Sequence, residues 1–404
     1  MEHFVARQPI FNRSKKVIAY ELLFRSSVAN FFDHADGDQA SSRVITDSFL
    51  LFGIEEMTCG TKAFINFTRN LIVDGYVLAL PPQYTVVEIL ETVEPDDAVV
   101  NAVSKLKKAG FKLALDDFIY DARFEPLLKL ADIVKIDFLL TDRNERRSLA
   151  KNFLPRGLKL LAEKVETNED FKHAMEAGYS YFQGYFFSRP VVISRKDVPA
   201  FKLHYMKILK EINREEIDFR KLTPLIEGEV SMSYKLLKYI NSAAFGLPQK
   251  VKSIQQALTF IGEREVKKWA TILMLSGMAD DKPAELVVTS YVRARFCQLI
   301  AKQVGLADRA GDLFLMGLFS TLDAIMDRPL EEVLADMPIS DDINGALLEQ
   351  KGRLGAVLKM ILAFERGDWT ALSQVTSGLK LLESNLPEAY LKAIQESRQV
   401  FYQE

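Results

Sequence analysis

Acidic and amide side chains recur at one kind of place in this sequence, the later part of a short apolar run. Glu21 falls late in KVIAYELLF (16–24) and Asn66 late in AFINF (63–67). Glu88, with Glu91 just beyond, marks the end of YTVVEIL (84–90), and Asp116 and Asp117 close FKLALDDF (111–118). Lys135 and Asp137 lie in IVKIDFLL (133–140), Glu163 in LKLLAEKV (158–165) and Gln183 in YFQGYFF (181–187). If these runs end at one place, seven carboxylates, one amide, one lysine and one glutamine share a funnel. Like charges at close range raise one another's pKa and cost stability, so such a cluster calls for cations. Oxygen donors without His or Cys favour hard ions, Mg²⁺ or Mn²⁺. Two such ions can flank an in-line displacement at phosphorus, so the expected chemistry is metal-dependent phosphoester hydrolysis. Any one acidic residue in a strand is ordinarily a salt-bridged or solvated position; the signal lies in the repetition.

The elements that must position these residues are legible as two grammars. Through residue 195 the chain alternates β-rich runs with helix-like stretches; HFVARQPIF (3–11) precedes the runs above and brings their number to eight. Eight strands separated by helices predict a (β/α)8, TIM-like barrel, whose strand C-termini meet at one mouth. The first two runs are joined only by Asn12–Lys15, too short for a parallel crossover. The expectation is therefore a modified barrel with one antiparallel strand. Pro95–Ala109 reads as a helix stopped by Gly110, and Thr167–Asp170 as a capping box before a helix ending at Gly178. Beyond residue 200 the β-runs disappear, and segments such as SYKLLKYINSAAF, SIQQALTFI, VKKWATILML, SYVRARFCQLIAKQV and PEAYLKAIQESRQVF carry apolar residues at helical spacing. The fold class is α/β followed by all-α, with domains at 1–195 and 196–404.

Composition sets limits. The 404 residues suit two or three domains, and 48% hydrophobic with 26% charged residues is an ordinary globular balance. A net charge of −3 speaks against a nucleic-acid polymer as partner. Cys59 and Cys297 can build neither a disulfide framework nor a CxxC metal knuckle. The start, MEHFVARQPIF, has no apolar signal core, and the run Trp269–Met278 is far short of the ~20 residues a membrane span needs. A cytoplasmic protein without a membrane span is expected.

At these residues the first half, about 3–190, resembles an EAL domain, the family of cyclic di-GMP phosphodiesterases. The motif E-x-L-x-R appears as Glu21-Leu22-Leu23-Phe24-Arg25, followed by Asn66, Glu88 with Glu91, Asp116-Asp117-Phe118, Lys135-Ile136-Asp137, Ala162-Glu163-Lys164-Val165-Glu166 and Gln183-Gly184-Tyr185. The resemblance implies a first metal ion on Glu21, Asn66, Glu88 and Asp116, and a second on Asp116, Asp117 and Asp137. It implies that Lys135 and Glu163 position and deprotonate the attacking water, that Glu91 braces the loop after Asp117, and that Arg25 contacts a substrate phosphate, with Gln183 also on the substrate side. The substrate would be cyclic di-GMP and the product the linear dinucleotide. Two departures stand out: Phe118-Ile119-Tyr120-Asp121 lacks the family's glycine after DDF, and Lys164 replaces the glycine beside Glu163. The loop after Asp117 is also where EAL domains often form a homodimer.

The second half resembles an HDOD domain, through Tyr239–Ala243, Ser253–Leu258 and Ile261-Gly262, and the tandem is similar to the YuxH-type EAL–HDOD proteins. No histidine lies beyond His204, and Gly317–Asp323 offers Ser and Thr where an HD hydrolase carries its His-Asp pair. The implied job of this half is contact with a protein partner or signal relay. Weaker signals read as structure: Lys105–Lys108 as a solvated helix face, Trp269, Met274 and Met278 as helical core, His173 as a surface residue, and both cysteines as lone thiols. Two functions stay open, a Mg²⁺- or Mn²⁺-dependent phosphodiesterase and a catalytically inactive cyclic di-GMP-binding or interaction module.

Overall fold

A computed structural model describes residues 4–25, 53–184, 200–214, 216–228, 230–241, 251, 253–335, 337 and 339–401. All eight expected runs are strands: β1 (Phe4–Asn12), β2 (Val17–Arg25), β3 (Lys62–Phe67), β4 (Thr85–Ile89), β5 (Lys112–Leu115), β6 (Ile133–Asp137), β7 (Lys159–Glu163) and β8 (Tyr181–Gln183). They close into a barrel in chain order. β1 runs antiparallel to both β2 and β8, and the other neighbours are parallel. The reversal comes from the tight β1–β2 turn. Lys15 donates to the Asn12 carbonyl at 3.0 Å, the Asn12 side chain accepts from the Ser14 and Lys16 amides, and Lys15 takes φ +55° to close it.

Because strand side chains alternate, every second residue enters the barrel. Ile10, Ala19, Phe64, Val86, Ala114, Ile133 and Leu161 form one buried apolar layer that plugs the interior. Two residues further on in the parallel strands the chain places Glu21, Asn66, Glu88, Asp116, Lys135 and Glu163. On the reversed strand the matching step runs backwards and places Gln8, paired in register with Glu21. An apolar floor below and a polar layer above thus follow from one periodicity.

The outer helices obey their caps. Asp97–Lys108 begins with the Asp96 carboxylate accepting from the Val99 amide and buries Val99, Val103 and Leu106 on one face. Asn168–Ala177 begins with Thr167 accepting from the Asp170 amide at 3.0 Å and stops at Gly178, φ +97°. One expectation fails here: His173 is buried, not on the surface. It packs towards Arg143, Arg146 and Arg147 of the neighbouring helix Arg143–Phe153, and burial together with those guanidiniums holds its pKa below the ordinary value.

From Ala200 onward the described elements are helical, including Val230–Ile240, Ile254–Ile261, Glu263–Met278, Ala284–Leu299, Gly352–Arg366 and Leu386–Phe401. Ser253 caps its helix by accepting from the Gln256 amide. Asn241 closes the preceding helix by bonding both the carbonyl and the amide of Val251; the motif residues Ser242 and Ala243 lie outside the described residues. Met274 and Met278 are fully buried, as core residues should be, whereas Trp269 is half-buried. Thr321 is buried against the Ser290 hydroxyl. No described helix is long and apolar enough to cross a membrane.

By contacts, the chain divides into two compact units that do not follow the order of the sequence. One comprises Met1–Arg189, Val292–Gly317 and Ala356–Glu404; the other comprises Pro190–Tyr291 and Leu318–Gly355. The barrel therefore shares its unit with the last helices of the chain.

Candidate active site

Lys135 stands at the centre of the polar layer. Its Nζ lies 2.6 Å from Glu88 Oε1, 2.6 Å from Asp116 Oδ1, 2.9 Å from Glu163 Oε1 and 3.4 Å from Glu21 Oε2. Asn66 Nδ2 donates to Glu21 Oε1 at 3.0 Å, and Gln183 Nε2 donates to Glu21 Oε2 at 2.7 Å. Gln183 also reaches Gln8 Oε1 at 3.1 Å. Strand ends and the backbone just beyond them fix these positions: the Asp116 amide donates to the Ile89 carbonyl, Phe118 to Lys135, Phe138 to Glu163 and Val165 to Gln183. At Gly184 the backbone passes so close to Val165 that a Cβ would lie 2.2 Å from its carbonyl oxygen. Only glycine lets β8 seat Gln183 there.

The electrostatics of this layer are unbalanced. One buried ammonium faces four carboxylates. Burial alone would lower the Lys135 pKa, but Glu163, Glu21, Glu88 and Asp116 outweigh it and hold it well above the usual lysine value. The ammonium therefore stays charged and its neighbours bear the deficit. Burial, reinforced by Glu21 and Asp116 against the pull of Lys135, pushes the Glu88 carboxyl well up. Burial likewise pushes Glu163 up to about 8, with Lys135 opposing and Asp116 and Glu21 adding.

Several oxygens of the layer are buried without a hydrogen bond among the described residues: Asn66 Oδ1, both oxygens of Glu88, Glu163 Oε2 and Gln183 Oε1. Glu88 touches Lys135 as an ion pair without hydrogen-bond alignment. Unsatisfied buried oxygens are costly, and an all-oxygen donor set is what a hard divalent cation binds. The residues present fit such an ion. Among the described residues no three acidic, His or Cys side chains are already arranged as a cage, because Lys135 stands between them.

The expected single funnel resolves into two groups and an outlier. Glu21, Asn66, Glu88, Asp116, Lys135, Glu163 and Gln183 converge. Asp137 and Asp117 form a second group around Lys164, which ion-pairs with Asp137 and lies 3.6 Å from Asp117. Lys164 and Asp117 both adopt left-handed backbone, at φ +51° and +40°. Glu91 joins neither group. It is exposed at the edge of a cavity of about 260 Å³ that it shares with Asp116, Asp117, Phe118 and Arg123. Beyond Asp117, Arg123 bonds Asp121 at 3.0 Å and Glu94 at 3.2 Å, and Phe118 packs edge-on to Phe124 and Phe153. Arg25 ends β2, and its side chain lies outside the described residues. Sequence reasoning missed Gln8; its signal was the short first turn, which reverses β1 and so turns the inward step around.

Residues 49–190 match the EAL domain family and residues 198–332 the HDOD domain family. A barrel bearing an acidic layer, followed by helices, is the class these matches define, and the chain belongs to the tandem EAL–HDOD family. It is 38% identical over 403 residues to the uncharacterized protein YuxH of Bacillus subtilis, covering 98% of each chain. It is 36% identical over 374 residues to the cyclic di-GMP phosphodiesterase CdgJ of Vibrio cholerae, covering 92% of this chain and 87% of that one. Among solved structures, the calcium and cyclic di-GMP complex of Klebsiella pneumoniae BlrP1 is similar at 25% identity and a TM-score of 0.39, over 47% of this chain and 56% of that one.

Proposed function

We propose that the chain hydrolyses cyclic di-GMP to the linear dinucleotide at the mouth of a modified, TIM-like (β/α)8 barrel, in a domain spanning 1–195. Residues 196–404 then serve regulation or partner contact. The observation that carries this reading is the buried, oxygen-rich layer whose single ammonium leaves Glu88, Asn66 and Glu163 with unsatisfied oxygens. The oxygens of Glu21, Asn66, Glu88 and Asp116 would hold a divalent ion, Mg²⁺ or Mn²⁺. When bound, that ion lowers the pKa of water and stabilises charge developing on the phosphoryl oxygens. Glu163 would take the proton of the attacking water, a role supported by its Oε2, which makes no hydrogen bond, while Oε1 lies 2.9 Å from Lys135 Nζ. Lys135 supplies a fixed positive charge beside that water. Gln183 and Arg25 are assigned to the substrate side.

The test is to incubate the purified protein with cyclic di-GMP and Mn²⁺ and to follow the linear product by chromatography. The parent protein should form product, Asp116→Asn should form little, and Glu163→Ala should bind the dinucleotide but not turn it over. Binding without product by the parent would overturn the enzyme in favour of a receptor. Full turnover by Glu163→Ala would remove the base assignment.

A further inference from the structure

The two acidic groups at the barrel mouth differ in how satisfied they are. The group around Lys135 keeps several buried oxygens without a hydrogen bond. Asp137 keeps none. Its Oδ1 accepts from the Leu139 amide at 2.6 Å and the Leu140 amide at 3.2 Å, and its Oδ2 is paired with the Lys164 ammonium. That ammonium also lies 3.6 Å from Asp117 Oδ1. Lys164 thus bridges two carboxylates from the ends of β5 and β6, and it does so from a left-handed backbone, φ +51°, that a glycine would adopt without strain. A side chain held at such a backbone and aimed at two acids is a placed charge.

We propose that Lys164 is a built-in cation on the Asp117–Asp137 pair, standing where a second divalent ion would otherwise sit, so that the mouth binds one exchangeable ion rather than two. This rests on the metal-dependent reading above and sets its stoichiometry. A dication entering the pair must displace an ammonium already in contact with Asp137, against like-charge repulsion. At the Lys135 group one ammonium faces four carboxylates, so the same entry meets a much larger net negative charge. Lys164 is therefore a positioning residue: it fixes Asp137 and sets a positive charge beside Asp117 without a metal.

The test is a titration of the full-length, nucleotide-free protein with Mn²⁺, free Mn²⁺ being read by its electron paramagnetic resonance signal. The parent protein should take up one ion per chain. Lys164→Gly, which suits the backbone, and Lys164→Met, which keeps the length without the charge, should each take up two. Lys164→Arg, which restores the charge, should return to one. Circular dichroism on each variant reports folding, and either neutral variant suffices. Equal, non-zero uptake by the parent and the neutral variants overturns the role of Lys164 while leaving the metal reading intact. No uptake by any of them overturns the metal reading and this inference together.

Discussion

A carboxylate that is buried beside other carboxylates must find a counter-ion or a proton, and Glu163 illustrates the consequence. In the metal-free protein burial pushes its pKa up to about 8 from 4.5. Between those values the folded protein keeps a proton that the unfolded chain has released. Stability attached to this group is thus full below the ordinary carboxyl pKa and is lost as pH rises through about 8. Denaturant unfolding in EDTA should therefore show a lower midpoint at pH 8.5 than at pH 5.5, and Glu163→Gln should shrink that difference. Mn²⁺ should raise the alkaline midpoint most, since it neutralises the ionised layer. An EDTA-treated protein equally stable at both pH values would contradict the account. At this scale the sequence was informative about identity and less so about partners. Glu21, Asn66, Glu88, Asp116, Lys135 and Glu163 were readable because each occupies the same step of a strand. The pairing of Lys164 with Asp137 was not, because it depends on a left-handed loop residue that no hydrophobic period reports.

Elements turn that spacing into geometry. Alternation along β3 to β7 puts an apolar floor under a polar layer, so burial of Phe64, Val86 and Leu161 and convergence of the acids above them are one event. The reversal of β1 was legible from Asn12–Lys15, since so short a link permits only an antiparallel pair. Its consequence, Gln8 in the polar layer, followed only once the strands were in register. The β7–β8 junction is the tightest point of the site, because Gly184 lies against the Val165 backbone. Gly184→Ala should force β8 outward, with Gln183 drawn away from Glu21. The expected cost is roughly 1–3 kcal/mol in urea unfolding, the range for a strained backbone position. An unchanged unfolding midpoint would mean that the close approach is not needed to seat Gln183. The burial of His173 was not legible, since a polar residue in a capped amphipathic helix gives no sign of which neighbouring helix covers it.

At the scale of the whole molecule, the sequence shows a change of grammar near residue 195, whereas compactness draws a different line. Val292–Gly317 and Ala356–Glu404 belong to the barrel's unit. Gly367, at φ +68°, lies so close to β2 that a Cβ would be 2.8 Å from Leu23 Cδ1, and Gln395 donates to Glu56 at 2.9 Å. Gln8 Nε2 reaches the Arg366 carbonyl at 3.4 Å while its Oε1 accepts from Gln183, the side chain that holds Glu21. Two glutamines therefore link the end of the helix Gly352–Arg366 to the acidic layer. The amphipathic pattern of these helices said that each buries a face, but a pattern does not name the surface it meets. A fragment ending at residue 195 should accordingly melt at lower temperature than the full chain, as followed by circular dichroism. A fragment of equal melting temperature would show that the C-terminal helices lend the barrel no stability.

The central claim is that the carboxylate layer around Lys135 is a divalent-cation site. Anomalous diffraction from crystals soaked in Mn²⁺ tests it most directly. The account predicts a manganese peak bounded by Glu21, Asn66, Glu88 and Asp116. Saturating Mn²⁺ with no peak among those four side chains would contradict it.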